Sequence, residues 1–342
     1  MKKVGCLVLC IVLLLTGCGQ STADEVVTKE ADKDKIKIGM SFDSFVIERW
    51  QRDRDVFVST AKELGAEVNV QNANGDAEEQ ISQIEYFIEK KMDVIVIISI
   101  DSNLLKDVVQ KAKNAGIKVI AYDRMINGAG VDLYISFDNE MVGTMMADAM
   151  IDAGLAGEKV LMLCGPTTDN NVGYVDKGFR KVMDENNVEI ADSMNADGWK
   201  AELAGSYVYD HMDMVKSVNG IMCGNDSIAT QAIRALAEKR MAGKMIVVGQ
   251  DADLEACQRI VEGTQLMTVY KPVEKLAQAA AQYAIKLANG DTLANVPTME
   301  DEGKQIPFIF LEPIAVNKEN IDNVIINSGY HLKEDVYLNV LQ

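Results

Sequence analysis

DVIVIISIDSNLLKDVVQKAKNAGIKVIAYD, residues 93–123, decides the fold. Its ends, DVIVIIS (93–99) and IKVIAYD (117–123), are short β-branched runs with almost no polar alternation. Strands of that kind are buried on both faces, as in a parallel sheet. Between them an amphipathic stretch closed by Gly116 reads as a crossover helix. One such unit predicts a doubly wound α/β sheet if the rhythm continues on both sides.

It does continue. Upstream, IKIGMSF (36–42) reads as a strand, 44–64 as a helix ended by Gly65, AEVNVQN (66–72) as a strand and 76–91 as a helix. A second series starts near residue 140 with the helix MVGTMMADAMIDA and the strand EKVLMLCG. A helix at 173–186, a short strand near 188–192 and a helix at 200–216 follow. Then come the strand NGIMCGND (219–226), a helix at 227–240, the strand KMIVVGQD (244–251), the helix LEACQRIVEG and the strand QLMTVYKP. The pattern predicts two Rossmann-like doubly wound lobes of similar size. It leaves the lobe membership of the helix 273–289 and of IPFIFLEPIAV (306–316) open.

The 342 residues carry 34 basic and 52 acidic side chains, a formal net charge of -18. That balance argues against nucleic acid and anionic lipid headgroups as partners. At the start, Lys2 and Lys3 precede LVLCIVLLL (7–15), which has the length of a signal-peptide core. Leu15-Thr16-Gly17-Cys18 resembles the bacterial lipobox, which implies cleavage before Cys18 and a lipid on its thiol. Residues 1–18 are then a lipoprotein signal, and 19–35, polar and aperiodic, a flexible tether. Acyl chains would hold the protein at the outer surface of the bacterial cell membrane without spanning it. Three cysteines remain, Cys164, Cys223 and Cys257, at no metal-ligand spacing. Buried free thiols are expected, with a disulfide between two of them left open.

In open α/β sheets ligands sit beyond the carboxyl ends of the strands. Those ends are unusually polar here: Asp43, Asp123-Arg124, Asp169-Asn170-Asn171, Asn225-Asp226, Gln250-Asp251 and Lys271. Both lobes contribute, so a cleft between them would carry Asp, Asn, Arg and Lys. Such a lining suits a hydroxyl-rich ligand: carboxylates accept, Arg and Lys donate, and Asn does both. The only tryptophans, Trp50 and Trp199, fall one in each series and could sandwich a sugar ring. Each residue has a structural alternative. Asp and Asn after strands cap helices. Trp50 shares a helical face with Phe57, Ala61 and Leu64, which suits a core residue equally well.

Catalysis is not expected. The two histidines, His211 and His331, lie away from the strand ends, and no nucleophile elbow, phosphate loop or metal spacing occurs. No cofactor and no metal are expected.

Together ERWQRDRD, NVQNANGDAEEQISQIE, VIAYDRMING, DLYISFDNE, DNN, DGW, GNDS and GQDADLEACQRIVEGTQLMTVYKP resemble the D-xylose-binding members of the ribose/galactose-type periplasmic binding proteins. The likeness runs from about residue 36 to the C-terminus. It implies a type I fold, two lobes joined by a three-strand hinge, with residues 36–138 plus 271–293 in the N-terminal lobe and 139–270 plus 294–342 in the C-terminal lobe. It implies a monomeric solute-binding protein that delivers a monosaccharide, D-xylose foremost, to an ABC-type sugar permease. A membrane sensor kinase is the alternative partner; glucose, ribose or arabinose are alternative ligands. Matching positions place ligand contacts on Arg49, Trp50, Asp123, Arg124, Asp169, Asn171, Trp199, Asn225, Asp251 and Lys271. NVGYVDKGF after DNN and KAELAGSYVYDHM after DGW depart from the family pattern, which bears on fine selectivity.

Overall fold

The computed structural model describes residues 35–340. The expected signal, Cys18 and most of the tether lie outside them. The first lobe starts with β1 (Lys37–Phe42), α1 (Arg49–Glu63), β2 (Glu67–Asn72) and α2 (Ala77–Glu89). It continues with β3 (Val94–Ile97), α3 (Lys106–Asn114), β4 (Lys118–Tyr122) and β5 (Leu133–Phe137). The chain then enters a second lobe: α4 (Asn139–Met150), β6 (Lys159–Cys164), α5 (Asn170–Glu185) and β7 (Glu189–Asn195). After α6 (Ala201–Asp210) and α7 (Met212–Val215) come β8 (Gly220–Cys223), α8 (Asp226–Glu238), β9 (Ile246–Gln250), α9 (Leu254–Glu262) and β10 (Met267–Tyr270).

The chain returns with α10 (Val273–Ala288), which packs on α1 and against β3 and β4. The hairpin β11 (Thr298–Asp301) and β12 (Lys304–Leu311) closes the first sheet, in the order β11-β12-β5-β4-β3-β1-β2. β13 (Ile314–Asn317) then pairs antiparallel to β10 at the edge of the second, ordered β13-β10-β9-β8-β6-β7. The chain thus passes between lobes three times, after β5, after β10 and after β12. Residues 93–99 behave as their composition demands: Val94, Val96 and Ile98 enter one apolar core, Ile95 and Ile97 the core on the opposite face.

The structure changes several sequence expectations. Residues 294–311 sit with the first lobe, not the second, because β12 runs parallel to β5 through Phe308–Leu311. IPFIFLEPIAV is therefore two strands in different sheets, split at Glu312-Pro313. β5, whose short run the rhythm passed over, lies between β4 and β12. The helix expected from 44 begins at Arg49, since the Ser44 hydroxyl accepts from the Val46 N–H and bends the entry. Leu64, expected in the core, is exposed.

Helices α4 and α5 touch through glycine. A methyl at Gly143 would overlap the Val175 carbonyl oxygen, and one at Gly178 the Glu140 carbonyl oxygen. That contact fixes α5 against α4, and the N-terminus of α5 carries part of the site.

Candidate functional site

Between the carboxyl ends of both sheets lies a cavity with about 470 Å3 of space between atoms. Of the ten residues expected from sequence, nine line it: Arg49, Trp50, Asp123 and Arg124 from the first lobe, Asp169, Asn171, Trp199 and Asp251 from the second, and Lys271 at a crossover. Asn225 does not line it, although its neighbour Gly224 does.

Each charge is placed by backbone and by another charge. Arg49 opens α1, donates to Asp123 Oδ2 at 2.7 Å and forks onto Asp53 at 3.2 and 3.3 Å. Asp53 also accepts from the Tyr122 hydroxyl. Asp53 is fully buried, although it stands in the sequence among the charges Arg52, Arg54 and Asp55. Arg124 donates to Asp43 Oδ2 at 2.7 Å and to the Ser99 carbonyl at 3.1 Å. Its Nε lies 2.7 Å from Asp169 Oδ2 with the N–H poorly aligned, which leaves that proton without a good acceptor. Lys271 Nζ is 3.4 Å from Asp251 Oδ1, an ion pair short of hydrogen-bond geometry.

Asp123 and Asp251 occupy matching positions, each just after the fourth strand of its lobe's series, and both have positive φ, 64° and 96°. Their amides donate to the neighbouring strand in the same way, to the carbonyls of Ile135 and Val269. The left-handed turn swings each carboxylate off its strand towards the cleft, a strain held by the packed ends of the sheets.

The caps and the candidate contacts turn out to be the same residues. Asp169 Oδ1 caps α5 by accepting from the Asn171 N–H, while Oδ2 accepts from Trp199 Nε1 at 3.2 Å. Asn225 Oδ1 caps α8 through the Ile228 N–H, and its Nδ2 is buried without a partner. Asn171 Nδ2 reaches across the lobes to the Asp123 carbonyl and Oδ1, both at 3.1 Å. Trp199 packs over Gly165, where any side chain would collide with its ring. Trp50 is 1% exposed, with the Arg49 guanidinium 4.3 Å from its ring centre and its Nε1 unpartnered. It is both a core residue and a wall of the cavity.

Burial pushes Asp53 up to about 6 against the pull of Arg49. Burial also raises Asp43 and Asp169, with Arg124 opposing it. At Asp123 burial is outweighed by Arg49, Lys271 and Arg124, which hold the carboxyl below its ordinary range. Asp123 is thus a fixed anionic acceptor at the centre.

The cavity has an apolar side that the expected contacts did not include. Ile47, Cys164, Val172, Val175 and Met222 line it, and Gln250 adds a buried Oε1 without a donor. Gln250 was visible as a strand end; the apolar residues carry no sequence signal that separates them from core. Cys164, Cys223 and Cys257 are free and buried, and burial pushes the Cys164 thiol up to about 12.

Residues 38–292 match the family model of the periplasmic binding protein domain. The chain is 42% identical to the D-xylose-binding periplasmic protein of Haemophilus influenzae, over 95% of this chain and 98% of the relative. It is 41% identical to the D-xylose-binding periplasmic protein of Escherichia coli over the same shares. The multiple sugar-binding periplasmic receptor ChvE of Rhizobium radiobacter is 31% identical over 87% of this chain and 91% of its own. Among solved structures, an ABC transporter solute-binding protein of Clostridium phytofermentans with bound β-D-glucose superposes with a TM-score of 0.78 at 26% identity. That superposition covers 88% of this chain and 99% of the other. The two lobes, the triple crossover and these matches together show that the chain belongs to the periplasmic binding protein family.

Proposed function

We propose that this protein binds a monosaccharide, D-xylose foremost, in the inter-lobe cavity and delivers it to an ABC-type sugar permease. One observation carries the reading. Charged side chains from both lobes and two tryptophans converge on one cavity between the carboxyl ends of the sheets, in a chain 42% identical to a D-xylose-binding protein. Buried atoms without partners supply the polar half of the match. Trp50 Nε1 and Arg124 Nε offer donors, and Gln250 Oε1 and Asp251 Oδ1 offer acceptors. A polyol satisfies both kinds at once, where leaving each unmet costs roughly 1–3 kcal/mol. The indole faces suit the C–H faces of a sugar ring. The apolar part of the lining, Ile47, Val172, Val175 and Met222 with the weakly bonding Cys164 thiol, offers no strong side-chain hydrogen bond to an exocyclic hydroxymethyl group. That favours a pentose over a hexose.

Lipid attachment at Cys18 belongs to the same reading, since a tethered receptor stays near its permease. ChvE, a relative whose name is that of a receptor, favours a second partner class, a membrane sensor read by the closed form. Calorimetry of the mature protein against pentoses and hexoses is the test. D-xylose should bind tightest; no aldose binding below millimolar concentration overturns the reading.

A further inference from the structure

Asp251 and Ala252 both lie in the left-handed region, φ 96° and 55°, where residues with side chains are strained. The matching turn at Asp123 has one such residue, and its carbonyl is held by the Tyr134 and Ser136 hydroxyls of the adjacent strand β5 and by Asn171 of the site. The Asp251 turn is held by a segment distant from its own sheet as well as by its neighbours. The amide of Ala252 donates to Thr268 Oγ1 at 3.1 Å, and that of Asp253 to Asp226 Oδ2 at 3.2 Å. Both carbonyls are taken by the C-terminal segment. Tyr330 O–H donates to the Asp251 carbonyl at 3.4 Å, and His331 Nε2 lies 2.8 Å from the Ala252 carbonyl. With a carbonyl as partner, Nε2 must carry the proton.

The same two-residue segment is gripped from the other lobe. Arg52 on α1 donates to the Tyr330 carbonyl at 2.6 Å, and its guanidinium lies 4.2 Å over the Tyr330 ring. Its second amino group pairs with Glu274 of α10 at 2.9 Å, so the first lobe itself holds Arg52 in position.

We propose that Tyr330 and His331 are positioning residues for Asp251, and that Arg52 clasps them only when the lobes close, so that closure tightens the carboxylate's turn around the bound ligand. None of Arg52, Tyr330 and His331 lines the cavity. The inference rests on the sugar-binding reading, with Asp251 as a contact.

A clasp formed after docking slows release and leaves association alone. Stopped-flow tryptophan fluorescence reads both rates with D-xylose, because both tryptophans line the cavity. Arg52→Ala and His331→Ala should release the sugar roughly five- to ten-fold faster, the factor of one hydrogen bond to a charged or well-aligned donor. Association should stay within about two-fold of wild type. His331→Gln, which returns a side-chain N–H, should restore most of the loss. Release rates equal to wild type in both alanine variants overturn the clasp. So does a joint fall in association and in the melting temperature of the ligand-free protein, which marks a merely structural role. Absence of any sugar response in wild type instead overturns the sugar-binding reading, and the clasp with it.

Discussion

Asp169 shows how much one side chain carries in this cleft. One oxygen caps α5, and the other meets Trp199 Nε1 and the Arg124 guanidinium. Cap and contact, which read as alternatives in the sequence, are one carboxylate used twice. Trp50 is similar, and its two roles separate by substitution. Trp50→Ala removes a fully buried ring and should cost about 3–5 kcal/mol of stability along with binding. Trp50→Phe keeps most of the bulk and loses only Nε1–H. It should melt near wild type and bind D-xylose roughly ten-fold more weakly, the factor of one lost hydrogen bond. Calorimetry paired with thermal melts checks this, and wild-type affinity in Trp50→Phe would show that Nε1 is no ligand donor. Asp53 sets a pH dependence instead. Its folded pKa, about 6, lies above the ordinary 3.8, so the folded state holds the proton more tightly. The stability this contributes is complete below about pH 4 and lost as pH rises through 6. At about 1.4 kcal/mol per unit the loss is on the order of 3 kcal/mol at most. Denaturant melts between pH 4 and 7 should show this slope in wild type, flattened in Asp53→Asn. Asp123 is shifted the other way and acts only in more acid solution.

Helices and strands explain which parts the sequence disclosed. Parallel strands such as β3 and β4 are apolar on both faces, so their runs stand out, and the polar residues that end them fall at the cleft by topology alone. β12 gave no such signal: the run 306–316 is continuous in hydropathy yet serves two sheets, and only pairing with β5 divides it. Nothing in the sequence marks Asp53 as buried, since a charge flanked by charges reads as solvated; its partner Tyr122 lies 69 residues away. The apolar wall of Cys164, Val175 and Met222 is indistinguishable from core by composition. The helix pair α4 and α5 offers a test of how the second lobe holds its share of the site. Gly143 and Gly178 meet backbone with no room for a methyl. Gly143→Ala should therefore push the helices apart and destabilise by about 1–3 kcal/mol, despite the better helix propensity of alanine. A melting temperature equal to or above wild type would show that the contact gives way freely.

Across the molecule, the lobes meet along a rim as well as through the site. The Ser102 amide donates to the Thr168 carbonyl at 2.9 Å, the Asn170 amide lies 3.3 Å from Ser102 Oγ, and Met125 N–H reaches Asn170 Oδ1 at 3.3 Å. On the first-lobe face of α9, Glu48 Oε1 accepts from the Leu254 amide at 3.4 Å. On the proposed reading a sugar between Trp50 and Trp199 enters while these bonds are open, and the structure, with the rims in contact, is the closed arrangement. Sugar favours closure only through contacts it makes to both lobes, and rim bonds add a constant to that balance whatever the sugar. Asn170 does not line the cavity, so it isolates the constant. Asn170→Ala removes the acceptor for the Met125 amide and should move the ligand-free equilibrium further towards open. Affinity for every aldose should then fall by the same factor, roughly two- to ten-fold, with the ratio of D-xylose to glucose unchanged. Calorimetry on both sugars measures the ratio, and small-angle scattering measures the shape before and after D-xylose. A changed ratio would place Asn170 among the ligand contacts; an unchanged affinity for both sugars would mean that the rim does not govern closure.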